Sequence, residues 1–156
     1  MKRLWCFLMV FCLIFSGCSF SGERIKEPVT FYYVRENYQK DMDQVIASEV
    51  REAAGHRDDL AYLLALYSMG PASEELTSIL PGNTGLTLTE YLDESIILTL
   101  SEQAEPLTDG DFTLACACIS LTCMELSDIQ SVTLICGERT ITIRENQLLQ
   151  YNNLLS

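Results

Sequence analysis

Between Asp109 and about Glu125 the chain carries Phe112, Leu114, Ala115, Cys118, Ile119, Leu121 and Met124, apolar residues spread over nearly every side of a helix. A helix without a polar face is buried, so the rest of the chain has to enclose it. The enclosing elements read mostly as strands. Val29-Thr30-Phe31-Tyr32-Tyr33-Val34-Arg35 is dense in β-branched and aromatic residues and follows a proline. Leu86-Thr87-Leu88 and Ile96-Ile97-Leu98-Thr99-Leu100 flank the polar pair Asp93-Glu94 and read as a strand pair, after the turn chemistry of Pro81-Gly82-Asn83-Thr84-Gly85. Val132 to Cys136 and Thr140 to Ile143 flank a Gly137-Glu138 turn and predict a terminal hairpin. An earlier helix opens at Asp58-Asp59, repeats Leu60, Leu63, Leu64 and Tyr67 at helical spacing, and stops at Gly70-Pro71. Asp43 to Ala54 fits either a helical stripe or a strand. The order of elements predicts an α+β fold: one small domain with an antiparallel or mixed sheet and two helices packed on one face.

The first eighteen residues are an address. Lys2 and Arg3 precede twelve mainly apolar residues, Leu4 to Phe15, and then Ser16-Gly17-Cys18. Twelve residues at about 1.5 Å each fall well short of roughly 30 Å of hydrocarbon, so the run is no permanent membrane span. Leu13-Ile14-Phe15-Ser16-Gly17-Cys18 resembles the lipobox of bacterial lipoproteins. That resemblance implies cleavage before Cys18 and attachment of fatty acyl chains of the palmitate class, a membrane anchor on the extracytoplasmic face. The expected organisation is a signal peptide over residues 1–17, a lipidated cysteine and tether over 18–28, a domain over 29–145 and a C-terminal tail over 146–156. Ten tether residues reach at most roughly 33 Å.

The charge balance, 10 Lys+Arg against 22 Asp+Glu, gives a formal net charge of −12. It excludes nucleic-acid binding, which needs clustered bases to displace counterions. Loss of the signal would remove only basic charges, leaving a more acidic domain.

Chemistry-bearing patterns are thin. The one histidine, His56, lies in the polar run Gly55-His56-Arg57-Asp58-Asp59, and its ordinary role is a solvated loop residue; the sharper reading is a dyad with a cysteine. Of seven cysteines, Cys6 and Cys12 fall in the signal and Cys18 is the lipid site, leaving Cys116, Cys118, Cys123 and Cys136. The spacing C-x-C-x₄-C matches no zinc knuckle, and no metal is expected. Cys116 and Cys123 stand about 10.5 Å apart along a helix, beyond bridging range. Only Cys136 with one helix cysteine offers a disulfide; otherwise all four act as small buried hydrophobes. Asp109-Gly110-Asp111 lacks the rest of a calcium loop and reads as a helix N-cap. No phosphate-cradling glycine loop occurs, and no cofactor is expected.

Taken in order, Val29-Thr30-Phe31-Tyr32-Tyr33, Glu49-Val50-Arg51, Leu63-Leu64 before Gly70-Pro71, and Ile79-Leu80-Pro81-Gly82-Asn83-Thr84 resemble the GerMN domain of bacterial sporulation and germination lipoproteins. The likeness continues through Leu98-Thr99-Leu100-Ser101, Ser120-Leu121-Thr122 and Ile129 to Leu134. It implies a short strand near Val45 to Arg51 and a non-catalytic, extracytoplasmic domain that works through protein partners or self-assembly in the envelope. The alternative expectation is a ligand-binding lipoprotein holding a cell-wall fragment or small solute in a pocket beside Tyr62, Tyr67 or Tyr91.

Overall fold

Alternation decides the first strand. In β1 (Pro28–Arg35) Val29, Phe31 and Tyr33 turn inward and are buried, while Thr30 and Tyr32 lie half-buried on the other side. The computed structural model describes residues 26–37, 44–126 and 128–147. The ambiguous stretch after β1 is a strand, β2 (Ile46–Glu52), paired antiparallel with it from Pro28↔Glu52 to Val34↔Ile46. Helix α1 (Leu60–Ser68) follows, with the Asp59 carboxylate accepting from the Tyr62 N–H at 3.0 Å as its N-cap. It ends at Gly70, whose φ of +86° is open to glycine and strained for other residues.

A two-residue strand, β3 (Leu76–Thr77), then pairs with the end of β1. Strands β4 (Leu86–Leu92) and β5 (Ser95–Leu100) form the expected hairpin around Asp93-Glu94, with a bulge between Leu88 and Glu90. Helix α2 (Asp109–Leu126) leads to β6 (Ser131–Cys136), which pairs parallel to β5. Parallel neighbours need a crossover, and α2 is that crossover. The hairpin closes on β7 (Arg139–Arg144).

The α+β class holds, but the strands form two sheets where the sequence predicts one. Their orders are β2-β1-β3 and β4-β5-β6-β7. The two helices are correspondingly shared between them: α2 packs on β1 and also on β6 and β7, and α1 lies against β4 while its Tyr67 stacks on Tyr33 of β1. One hydrophobic core joins both sheets, from Phe31 and Tyr33 through Leu63, Leu64 and Phe112 to Ile96, Leu98, Val132 and Leu134.

Because β3 covers only the end of β1, the rest of that strand edge would leave backbone donors unpaired. Helix α2 covers it with Thr122. The buried hydroxyl of this residue accepts from the Tyr32 N–H at 3.0 Å and donates to the Cys118 carbonyl at 2.9 Å. A helical threonine thus serves a strand edge, which explains one buried polar residue on this helix. The N-cap of α2 lies one residue before the expected Asp109. Thr108 Oγ1 accepts from the Asp111 N–H and donates to the Asp111 carboxylate at 2.8 Å, an N-cap whose hydroxyl is held by the residue it caps.

Candidate functional site

The most heavily connected charged groups are neighbours on β2. Glu49 and Arg51 are two apart on a strand and share a face, the one turned toward α1. Arg51 donates from Nη2 to the Leu66 carbonyl at 2.6 Å and from Nη1 to the Gly70 carbonyl at 2.9 Å. A cation there also opposes the negative end of the helix dipole. Its guanidinium lies 4.7 Å from the centre of the Phe31 ring. Glu49 accepts from the Ala72 and Ser73 N–H groups at 2.9–3.0 Å, and its Oε1 lies 3.6 Å from Arg51 Nε. The pair therefore ties the end of α1 and the following turn to β2. This is architecture rather than chemistry on a substrate.

Arg139 does the same work in the other sheet. It donates to the carbonyls of Ala104, Glu105 and Leu107 at 2.8–3.0 Å and lies 4.1 Å over the ring of Phe112. Beside it Gly137 has a φ of +57°, and a Cβ there would meet Glu105 Oε1 at 2.9 Å. Neither arginine stands out in the sequence as a clamp. Their partners lie 15 to 35 residues away, so no local pattern marks them.

The cysteines form no dyad. Cys116, Cys118, Cys123 and Cys136 are all buried, whereas His56 is half exposed, stacked 4.2 Å from Tyr62 and 3.9 Å from the Asp59 carboxylate. Burial pushes the Cys116, Cys118 and Cys123 thiols up to about 12, the reverse of an activated thiolate. Cys136 is not bridged to the helix; its thiol donates weakly to the Ser101 carbonyl at 3.8 Å. Among the described residues no three His, Cys, Asp or Glu side chains cluster as metal ligands.

Nor do the tyrosines converge on a pocket. Tyr67 is buried, stacked on Tyr33 at 4.7 Å between centroids, and its carbonyl accepts from the Tyr33 hydroxyl at 3.0 Å. Burial raises both phenols, helped for Tyr67 by the neighbouring Cys118 thiol and opposed for Tyr33 by Arg51. Tyr91 is 55% exposed on β4. A shallow crevice lined by Tyr33, Tyr67, Leu80, Ala115 and Cys118, and not by Tyr62 or Tyr91, has no room for a water-sized sphere. Cys18, the expected lipid site, lies outside the described residues.

No family profile matches the sequence, and no curated protein matches it. Solved structures do. The first GerMN domain of the sporulation protein GerM from Bacillus subtilis is similar with a TM-score of 0.51 at 15% identity, covering 73% of this chain and 85% of that one. The fold is that of a GerMN domain. The tandem GerMN domains of the same protein give 0.49 at 20% identity, covering 72% of this chain and 39% of theirs. A candidate lipoprotein from Clostridium perfringens gives 0.47 at 14% identity, with 77% and 88% covered. The GerMN resemblance read from residues 29–143 therefore holds at the level of the fold. No helix among the described residues is long and apolar enough to cross a membrane.

Proposed function

We propose that this chain is a lipoprotein held by acyl groups on Cys18 at the extracytoplasmic face of the cell membrane. Its GerMN-fold domain works there as a non-catalytic interaction module in an envelope assembly of sporulation or germination. The observation that carries the reading is the GerMN fold itself, shared with a domain of a sporulation protein. The lipobox-like Leu13-Ile14-Phe15-Ser16-Gly17-Cys18 supports the anchoring. The high thiol values and the exposed histidine support surface contact over chemistry. The full chain carries −12 and the domain left after loss of the signal is more acidic still, so an anionic leaflet repels it, which leaves adhesion to the lipid.

A cross-linking pull-down from envelope fractions, sampled through vegetative growth and spore formation, tests the reading. The expected result is adducts that peak during spore formation. Recovery of the monomer alone at every stage contradicts an assembly role; adducts in vegetative cells only would remove the sporulation part.

A further inference from the structure

The outward face of the four-stranded sheet differs from the rest of this acidic molecule. Because Ile96, Leu98, Val132 and Leu134 turn into the core, their neighbours Ile97, Thr99, Thr133 and Ile135 turn out. Register then lays them in cross-strand rows. One row is Thr87, Thr99, Ile135 and Thr140; the next is Glu90, Ile97, Thr133 and Thr142. Thr87, Thr89, Thr140 and Thr142 are exposed.

Two properties make this face inexpensive to cover. Its hydroxyls satisfy one another in part: Thr89 and Thr99 lie 2.7 Å apart, and Thr133 and Thr142 2.9 Å. Polar groups already paired lose little when water leaves. The two rows carry one charge, Glu90 on the β4 edge, and the following row of Leu92, Ser95, Ser131 and Arg144 carries one, Arg144 on the β7 edge, in a chain with 22 acidic residues.

We infer that this face docks a second copy of the chain, an inference that rests on the interaction-module reading above. Two acidic molecules repel across most of their surfaces, so self-association is confined to a face without that charge. A two-fold axis parallel to the strands, between β5 and β6, lays β4 of one copy over β7 of the other. Glu90 then approaches the second copy's Arg144, twice by symmetry. The two residues sit one two-residue step apart in register, about 7 Å along the strands, and with stacked sheets about 10 Å apart their Cα atoms lie roughly 12 Å from one another, within reach of a Glu and an Arg extended toward each other. Four strands about 4.8 Å apart and six residues long present roughly 400 Å² per copy, the size of a weak contact. Such a contact is populated by confinement to a membrane and sparse in dilute solution.

The test uses the full chain in its own membrane. Copies carrying Ile97→Cys and copies carrying Thr133→Cys, with different tags, are co-produced and joined by a short bis-maleimide. The expected yield of joined chains is at least about fivefold that of a Val50→Cys control on the other sheet, since confinement favours this face alone. Glu90→Arg lowers the yield about tenfold through like-charge juxtaposition, and Glu90→Arg with Arg144→Glu restores it. Equal yield from the control, or no rescue by the swap, overturns the inference. So does a joined species that forms only after the chain is ended at Gln147, because the face would then belong to the chain's own C-terminal segment. Adducts with other envelope proteins but no self-adduct would overturn this inference and leave the interaction role standing; no adducts of any kind would remove both.

Discussion

Above about pH 9 the protein is expected to lose stability by about 4 kcal/mol per further pH unit and to unfold before pH 12. The cause is three thiols. Burial moves Cys116, Cys118 and Cys123 from the ordinary value of 9.0 to about 12 in the folded chain. Their contribution is complete below pH 9, where both states keep the protons. It is lost as pH rises toward 12, because the unfolded chain releases protons that the folded chain retains. Each such thiol contributes a slope of about 1.4 kcal/mol per pH unit. Tyr33 and Tyr67, also raised by burial, extend the loss above pH 10. Between pH 9 and 12 this removes about 10 kcal/mol, because the slope is only half-developed at either end, and that is comparable with the whole stability of a domain this size. Urea midpoints measured under reductant from pH 8 to 11 check it. A midpoint flat across that range would mean the thiols are not held protonated in the core, and Cys→Ala at the three positions should flatten a falling one.

Arg51→Ala is expected to cost about 3 kcal/mol and lower the melting temperature by roughly 10 °C. It removes two charge-assisted bonds to the end of α1 and the cation over Phe31. It also leaves Glu49 capping the turn with no countercharge. Arg51→Lys should recover less than half, because an ammonium lacks the planar fork that reaches Leu66 and Gly70 together. Glu49→Gln should cost less alone, and the double change less than the two losses added, as expected of one network. A melting temperature within about 2 °C of the parent for Arg51→Ala would show that the clamp is incidental.

What was legible in the sequence follows from the range of the forces involved. Alternation in Val29 to Tyr33 and the heptad-like spacing of Leu60, Leu63, Leu64 and Tyr67 are set by neighbours a few residues away, so those elements stand where expected. The resemblance points to a strand near Val45 to Arg51 where pattern alone does not, and the strand runs from Ile46 to Glu52. The division into two sheets was not legible, because it depends on a two-residue strand at Leu76 and on which distant strands pair. The two arginine clamps were invisible for the same reason. Thr108 was readable, since Thr108 and Asp111 have capping-box spacing, but the adjacent Asp109-Gly110-Asp111 drew the assignment one residue along. Cys136 and His56 are the buried thiol and the solvated ring that their surroundings in the sequence suggest, and Cys18 rests on the sequence.

The tethered role depends on where the mature chain begins. Mass spectrometry of the N-terminal peptide from membrane-extracted protein is expected to find Cys18 as the first residue, carrying a diacylglyceryl group on its thiol and a fatty acyl group on its amino nitrogen. A mature chain that starts elsewhere, or a Cys18 without lipid, would contradict the tethered-module reading and leave the GerMN fold without its anchor.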